Sequence, residues 1–249
     1  MAPVRRTTCV IWLSLATGCY SPELPEGLPC SETDRCPDGQ SCDPALRVCA
    51  SFAPCATPEI SDRFDDGPIC TPWGRSYGNA TGVEEDGAFA ITPASIGQND
   101  GGCKANFDMP FGAGGIFVEV ARPLTREGGY TGFLAEFAPA ESMQVELRDG
   151  VLRLGTFIDE SAFAEVPFDP PAMRWWRMRP DRRDGTATLA AEYSGDGSRW
   201  SPLGTRPGEP PATIRITIYA GTLIVDPDPG TAEFRNLGVC PPGTALEGG

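Results

Sequence analysis

Histidine is absent from the 249 residues. That absence removes Ser-His-Asp and Cys-His triads, histidine acid–base catalysis and His-ligated zinc or iron. Lysine is nearly missing as well: Lys104 stands alone among 20 basic residues. Acidic residues number 34, which sets the formal net charge at −14. A chain this acidic is repelled by phosphate backbones and anionic surfaces, so no nucleic-acid partner is expected. No apolar run approaches the ~20 residues of a membrane-spanning helix. No three-turn helical pattern is present, and no P-loop or G-x-G-x-x-G precedes a helix. Gly112-Ala113-Gly114-Gly115 reads as a turn into a strand.

The longest apolar run lies at the N-terminal end. Arg5 and Arg6 precede Cys9 to Ala16 (CVIWLSLA), which has the length of a signal h-region. Residues 1–18 therefore read as a secretory signal. The stretch Leu15-Ala16-Thr17-Gly18-Cys19 resembles the lipobox of bacterial lipoproteins. That resemblance implies cleavage before Cys19, acyl chains on Cys19, and an exported protein held on a membrane. With Tyr20 rather than Asp after Cys19, it further implies the outer membrane or cell surface. Acyl chains contribute ~0.8 kcal/mol per buried methylene, and two or more anchor stably. The alternative is a secreted protein whose Cys19 joins a disulfide. Loss of Arg5 and Arg6 with the signal moves the charge from −14 to −16.

Besides Cys9 and Cys19, the chain has Cys30, Cys36, Cys42, Cys49, Cys55, Cys70, Cys103 and Cys240. An even set in an exported chain implies disulfides, although eight cysteines admit about 105 pairings. The first four lack any C-x-x-C spacing, which is poor for zinc, and no metal site is expected. Residues 19–29 are rich in proline and acidic side chains and read as a tether. Residues 30–55 are too short to bury a core and must be stapled. The stretch CPDGQSCDPALRVC resembles small cysteine-rich modules behind bacterial lipoprotein anchors; Cys30–Cys42 and Cys36–Cys49 are the expected bridges there. The expected role of this module is a stiff spacer.

From residue 56 to 240 the chain reads as short strands separated by turns, followed by a tail at 241–249. Strands are expected near 87–92, 115–121, 130–137, 143–148, 151–158, 173–179, 186–193, 213–219 and 231–239. Ile214, Ile216 and Ile218 alternate with Arg215, Thr217 and Tyr219, the pattern of a half-buried strand. Asp149-Gly150 is a two-residue hairpin turn. The fold class is thus all-β, a two-sheet sandwich.

Trp175-Trp176-Arg177, then Ser194, Asp196-Gly197 and Trp200, resemble the "W-x-R … S-x-DG-x-x-W" hairpin of concanavalin A-like (laminin G-like) jelly rolls. Arg63-Phe64-Asp65-Asp66, Trp73 and Asp86-Gly87-Ala88-Phe89 resemble the start of such domains. Ala232-Glu233-Phe234-Arg235-Asn236-Leu237 resembles their last strand. In that fold the first and last strands are neighbours. The resemblance therefore implies Cys55–Cys240 and leaves Cys70–Cys103 as a second staple.

Members of that family often bind glycans or protein ligands without catalysis. The expected function is non-catalytic binding of a carbohydrate or cell-envelope component. The alternatives are a structural or adhesive envelope protein and, behind it, a glycan-cleaving enzyme. One glycosidase family with this fold uses E-x-D-x-x-E on a strand; Glu84-Glu85-Asp86 comes nearest and reaches Phe89 where Glu is required. Sugars stack on exposed aromatics, so Trp73, Trp175, Trp176 and Trp200 are the ligand-binding candidates. Adjacent strand residues face opposite ways, so one of Trp175 and Trp176 belongs to the core. No cofactor is expected. Calcium is common in the family, with Asp226-Pro227-Asp228 or Asn99-Asp100 as the oxygen donors to consider. The sequence leaves the oligomeric state open.

Overall fold

The computed structural model describes residues 28–29, 40–43, 48–51, 58, 60–65, 67–138, 141–157, 162–183 and 186–240. Among them every regular element is a strand. A small antiparallel sheet, in the order β1-β3-β2, comprises β1 (Leu28–Pro29), β2 (Gln40–Asp43) and β3 (Val48–Ser51). Leu28–Pro29, at the end of the 19–29 segment, thus pairs with the cysteine-rich segment, and Cys42 lies opposite Cys49.

The strands that follow are β4 (Ile60–Asp62), β5 (Gly74–Gly78), β6 (Thr81–Glu85), β7 (Ala88–Thr92), β8 (Asn99–Ala105), β9 (Met109–Pro110), β10 (Ile116–Arg122), β11 (Gly129–Ala138), β12 (Glu141–Arg148), β13 (Val151–Gly155), β14 (Ala162–Pro167), β15 (Trp175–Arg183), β16 (Thr186–Ser194), β17 (Ser201–Pro207), β18 (Thr213–Thr222) and β19 (Ala232–Val239). They make two eight-stranded sheets. The first runs β17-β16-β15-β10-β19-β7-β6, with β4 also pairing β19; the second runs β14-β13-β12-β11-β18-β8-β5, with β9 also pairing β18. Each pairing is antiparallel. The expected neighbourhood of first and last strands is met by β4 against β19.

Period-two alternation places one face of each sheet in a shared core. Ile214, Ile216 and Ile218 of β18 are buried together with Phe133 of β11 and Val145 of β12. The first sheet contributes Val118, Trp176, Met178, Phe89 and Phe234. Each such large side chain stabilises the fold by about 1.5–3 kcal/mol on burial. Asp62 ties the start of the sandwich to that core. It accepts the Phe64 backbone N–H at 2.7 Å and the Trp73 indole N–H at 2.6 Å, and Phe64 stacks on Phe89.

Two hairpins follow from their turn residues. Asp149 and Gly150 both have positive φ and join β12 to β13; Asp86 and Gly87 do the same between β6 and β7. This is the primed turn that matches strand twist. Cys70 and Cys103 form a disulfide with Cα atoms 5.6 Å apart, tying the turn before β5 to β8. Cys240 is also disulfide-bonded. Residues 1–27 and 241–249 and Cys19, Cys30, Cys36 and Cys55 lie outside the described residues. So do the expected pairings Cys30–Cys42, Cys36–Cys49 and Cys55–Cys240.

Candidate functional site

The four tryptophans expected to face a ligand are not brought together on one face. Trp73 and Trp176 have no solvent exposure, and both sit in the core between the sheets. Their indole N–H groups are taken by Asp62 and by the Met173 carbonyl (2.9 Å). Trp175, the partner of Trp176 in the alternation, does face outward from the first sheet. There it packs on Phe117, ring centroids 6.2 Å apart, beside Trp200 and Cys240. Trp200 in turn is covered by the Arg177 guanidinium, 4.2 Å from its ring centroid.

The hairpin motif that carries these residues is architectural. Ser194 Oγ accepts the backbone N–H groups of Asp196 and Gly197, and Asp196 Oδ1 accepts those of Ser198 and Arg199. Gly197 has positive φ, and a Cβ there would stand 3.1 Å from the Trp175 ring. Arg177 and Arg179 both bind Glu192, and Arg179 also binds Asp181. Burial alone would raise the Glu192 pKa, but the Arg179 hydrogen bonds and the two guanidinium charges outweigh it and hold it below the ordinary range. Arg177 and Arg179 are thus committed to a closed network on this face. Arg174 is likewise paired with Glu119.

A cavity lies over the other sheet. About 430 Å³ in volume, it is lined by Asn99 and Asp100 of β8, Tyr130 of β11, Gln144, Glu146 and Arg148 of β12, Arg153 and Gly155 of β13, and Tyr219 of β18. Gln98, Phe157, Ala162 and Leu223 complete the rim. These strand residues are the ones that alternate away from the core: Tyr219 lies between Ile218 and Ala220, Glu146 between Val145 and Leu147.

The floor is built by pairing tyrosine with glycine across strands. Tyr219 of β18 lies opposite Gly132, Tyr130 of β11 opposite Gly221, and Tyr77 of β5 opposite Gly102. A Cβ at Gly132 would come within 2.0 Å of the Tyr219 ring, and one at Gly221 within 2.3 Å of the Tyr130 ring. The two missing side chains therefore let both rings lie across the sheet, meeting edge to face at 6.1 Å. Each hydroxyl is then aimed. Tyr77 donates to Asp100 at 3.0 Å, Tyr130 to the Asn99 carbonyl at 3.1 Å, and Tyr219 to Glu146 at 2.9 Å and Gln144 at 3.2 Å. Burial pushes all three phenols well above the usual tyrosine range, with nearby Asp100 or Glu146 adding to it. They remain neutral donors through any physiological pH.

The result is a cleft with an aromatic base, three side-chain amides, two carboxylates and two guanidinium groups. Arg153 faces Glu146 on one neighbouring strand and Glu165 on the other, and is 3.2 Å from Glu165. Phe157 stands at the edge, 53% exposed, its backbone N–H held by Ser142 Oγ at 3.1 Å. Sequence reasoning missed this residue and the tyrosines. The usable signal was the i, i+2, i+4 series Gln144, Glu146, Arg148 on one strand face.

The calcium donors considered from sequence are engaged with other groups of the chain. Asp226 accepts the Asp228 backbone N–H, and Asp228 is bound by Arg126 through both its carboxylate (2.8 Å) and its carbonyl. The Asn99 side chain is fully engaged with the backbone at Ala94 and Gly97. Among the described residues no group of three or more Asp, Glu, Cys or His side chains could hold a metal ion.

No protein-family model matches the chain, and no curated protein matches it. Solved structures do. The Emp47p carbohydrate recognition domain superposes with a TM-score of 0.51 at 13% identity, covering 76% of this chain and 97% of that domain. The legume lectin-like domain from Entamoeba histolytica gives 0.46 at 10% identity, covering 72% and 94%. The Crh5 transglycosylase in complex with NAG gives 0.43 at 14% identity, covering 76% and 87%. Strand order, antiparallel pairing and the Emp47p superposition together make this an all-β, lectin-like sandwich of the concanavalin A type.

Proposed function

We propose that the sandwich binds carbohydrate, without catalysis, in the tyrosine-floored cleft over the second sheet. The observation that carries this is the composition of one cavity. Phe157 and the Tyr130 edge offer faces on which a sugar ring stacks, while Gln144, Glu146, Asp100 and the two arginines ring them with hydrogen-bonding groups. The fold shared with the Emp47p carbohydrate recognition domain is in keeping with that reading. The tyrosine contacts bear on the non-catalytic part. Asp100 and Glu146 each already accept a phenol hydrogen bond, so both carboxylates serve as fixed acceptors in the cleft.

The proposal extends to location. The chain is exported, cut before Cys19 and anchored by acyl chains in the outer membrane or at the cell surface, where its ligand is a glycan or another envelope component. Cys19→Ala should move the protein from the membrane to the soluble fraction; unchanged partition would remove the anchor from the account.

A glycan array probed with the full-length chain tests the binding reading. Binding to a defined saccharide set is expected, unchanged by chelator because the loops are tied by Arg126 and Asn99. An array with no hit, with or without calcium, would overturn it. Glycosidic cleavage is the second reading, prompted by two carboxylates in one cleft; turnover that Glu146→Gln abolishes would establish it.

A further inference from the structure

The cleft has an apolar shoulder at one end. Two residues before Gln98, Ile96 is 66% exposed; next to Leu223, Ile224 and Val225 are 43% and 71% exposed. Gln98 and Leu223 line the cavity. The two loops meet there: a Cβ on Gly97 would stand 3.5 Å from Val225 Cγ2.

These tips are held in place rather than left to find cover. Asn99, only 7% exposed, binds the 93–98 loop by donating to the Ala94 carbonyl (2.7 Å) and to the Gly97 carbonyl while accepting the Ala94 N–H (3.1 Å). Thr222, 2% exposed, donates to the Ile224 carbonyl at 3.0 Å and accepts its N–H at 3.3 Å. The Leu223 N–H donates to the Gly128 carbonyl at 2.8 Å, and Ile224 lies over Gly128, where a Cβ would stand 2.9 Å from it. Buried polar side chains therefore fix three aliphatic tips in water, contiguous with a polar cleft.

We infer that this shoulder is an apolar subsite for the hydrocarbon portion of the ligand, so that the chain binds a saccharide joined to an alkyl or acyl chain, as in a glycolipid. The inference rests on the carbohydrate reading of the cleft. Size favours this occupant. Three aliphatic tips present far less than the ~800 Å² per partner of a stable protein interface, but they match a run of a few methylenes. Fixed loops also lower the ordering cost of binding.

The test is calorimetric titration of the full-length chain with methyl and butyl glycosides of β-D-glucose, β-D-galactose and α-D-mannose. Each methylene that reaches the shoulder raises affinity about 3- to 4-fold, so the butyl form should bind at least tenfold tighter than the methyl form. Ile96→Ser with Val225→Ser should abolish that gain and leave methyl-glycoside affinity unchanged. Equal affinity for methyl and butyl forms, or a gain that survives in the variant, overturns the subsite and leaves the cleft standing. Failure of all glycosides and of the array removes cleft and subsite together. Binding to pure phosphatidylcholine vesicles that the double variant loses would make the tips a membrane contact and overturn the subsite.

Discussion

Gly132→Ala probes the construction of the cleft floor with the least chemistry. Gly132 is an interior residue of β11 opposite Tyr219. Its backbone suits any residue, so alanine there would ordinarily stabilise by about 0.4–1 kcal/mol through the unfolded chain. The structure reverses that sign. The new Cβ would lie 2.0 Å from Tyr219 Cζ and 2.3 Å from its hydroxyl oxygen, against ordinary contact at 3.4 Å or more. The ring is fully buried and faces Tyr130 edge-on, so it cannot slide sideways freely. Overpacking of this kind costs about 1–3 kcal/mol. Lifting the ring also weakens the hydroxyl's bonds to Glu146 and Gln144, for about 1–3 kcal/mol more. The net expected loss is about 1–5 kcal/mol, read as a lower urea midpoint at unchanged m-value. In a Tyr219→Ala background the same substitution should be neutral or stabilising. Equal effects in both backgrounds, or no loss in the parent, would refute the tyrosine-over-glycine architecture.

The phenols give a pH prediction. Their folded pKa values lie above the unfolded value of 10.0. Their contribution to stability is therefore intact below pH 10 and lost as pH rises toward the folded values, because the unfolded chain ionises first. Urea midpoints should be level near pH 8–9 on this account and fall above about 10; a level profile to pH 11.5 would contradict it. Glu192→Gln strands the Arg177 charge, 4% exposed, while Arg179 keeps Asp181, and should cost about 3–5 kcal/mol in the same assay. Cys70→Ala with Cys103→Ala opens a loop of sequence separation 33 and should cost about 3–4 kcal/mol by chain entropy; an unchanged midpoint would refute the staple's role. Trp175→Ala with Trp200→Ala should leave glycan affinity unchanged, since both side chains lie on the other sheet.

The sandwich was legible because its strongest signals are periodic. The Ile214, Ile216, Ile218 series and the Asp149-Gly150 turn report the pleat and the hairpin directly. Strands β5, β8 and β17 were not legible. The β8 sequence NDGGCKA has no alternation, yet it lies between β18 and β5. Its glycines serve close approach: a Cβ on Gly102 would come within 2.0 Å of the Ile218 carbonyl oxygen. The cleft was not legible for a related reason. Tryptophan is the natural candidate for sugar stacking, but in this chain it is a core and hairpin residue, whereas the cleft uses tyrosines whose positions depend on glycines two or more strands away in sequence. Such cross-strand pairs are set by register, which a single sequence does not display.

Saccharide is proposed to bind over the second sheet, against Phe157 and the tyrosine floor. The most direct measurement is the affinity of Phe157→Ala, compared with the parent chain, for the strongest saccharide found on the array. Phe157 is half exposed and outside the core cluster, so its removal leaves the fold intact while taking away the stacking face. A loss of tenfold or more at unchanged stability is the predicted result. Undiminished affinity would contradict the account and move the binding site elsewhere on the sandwich.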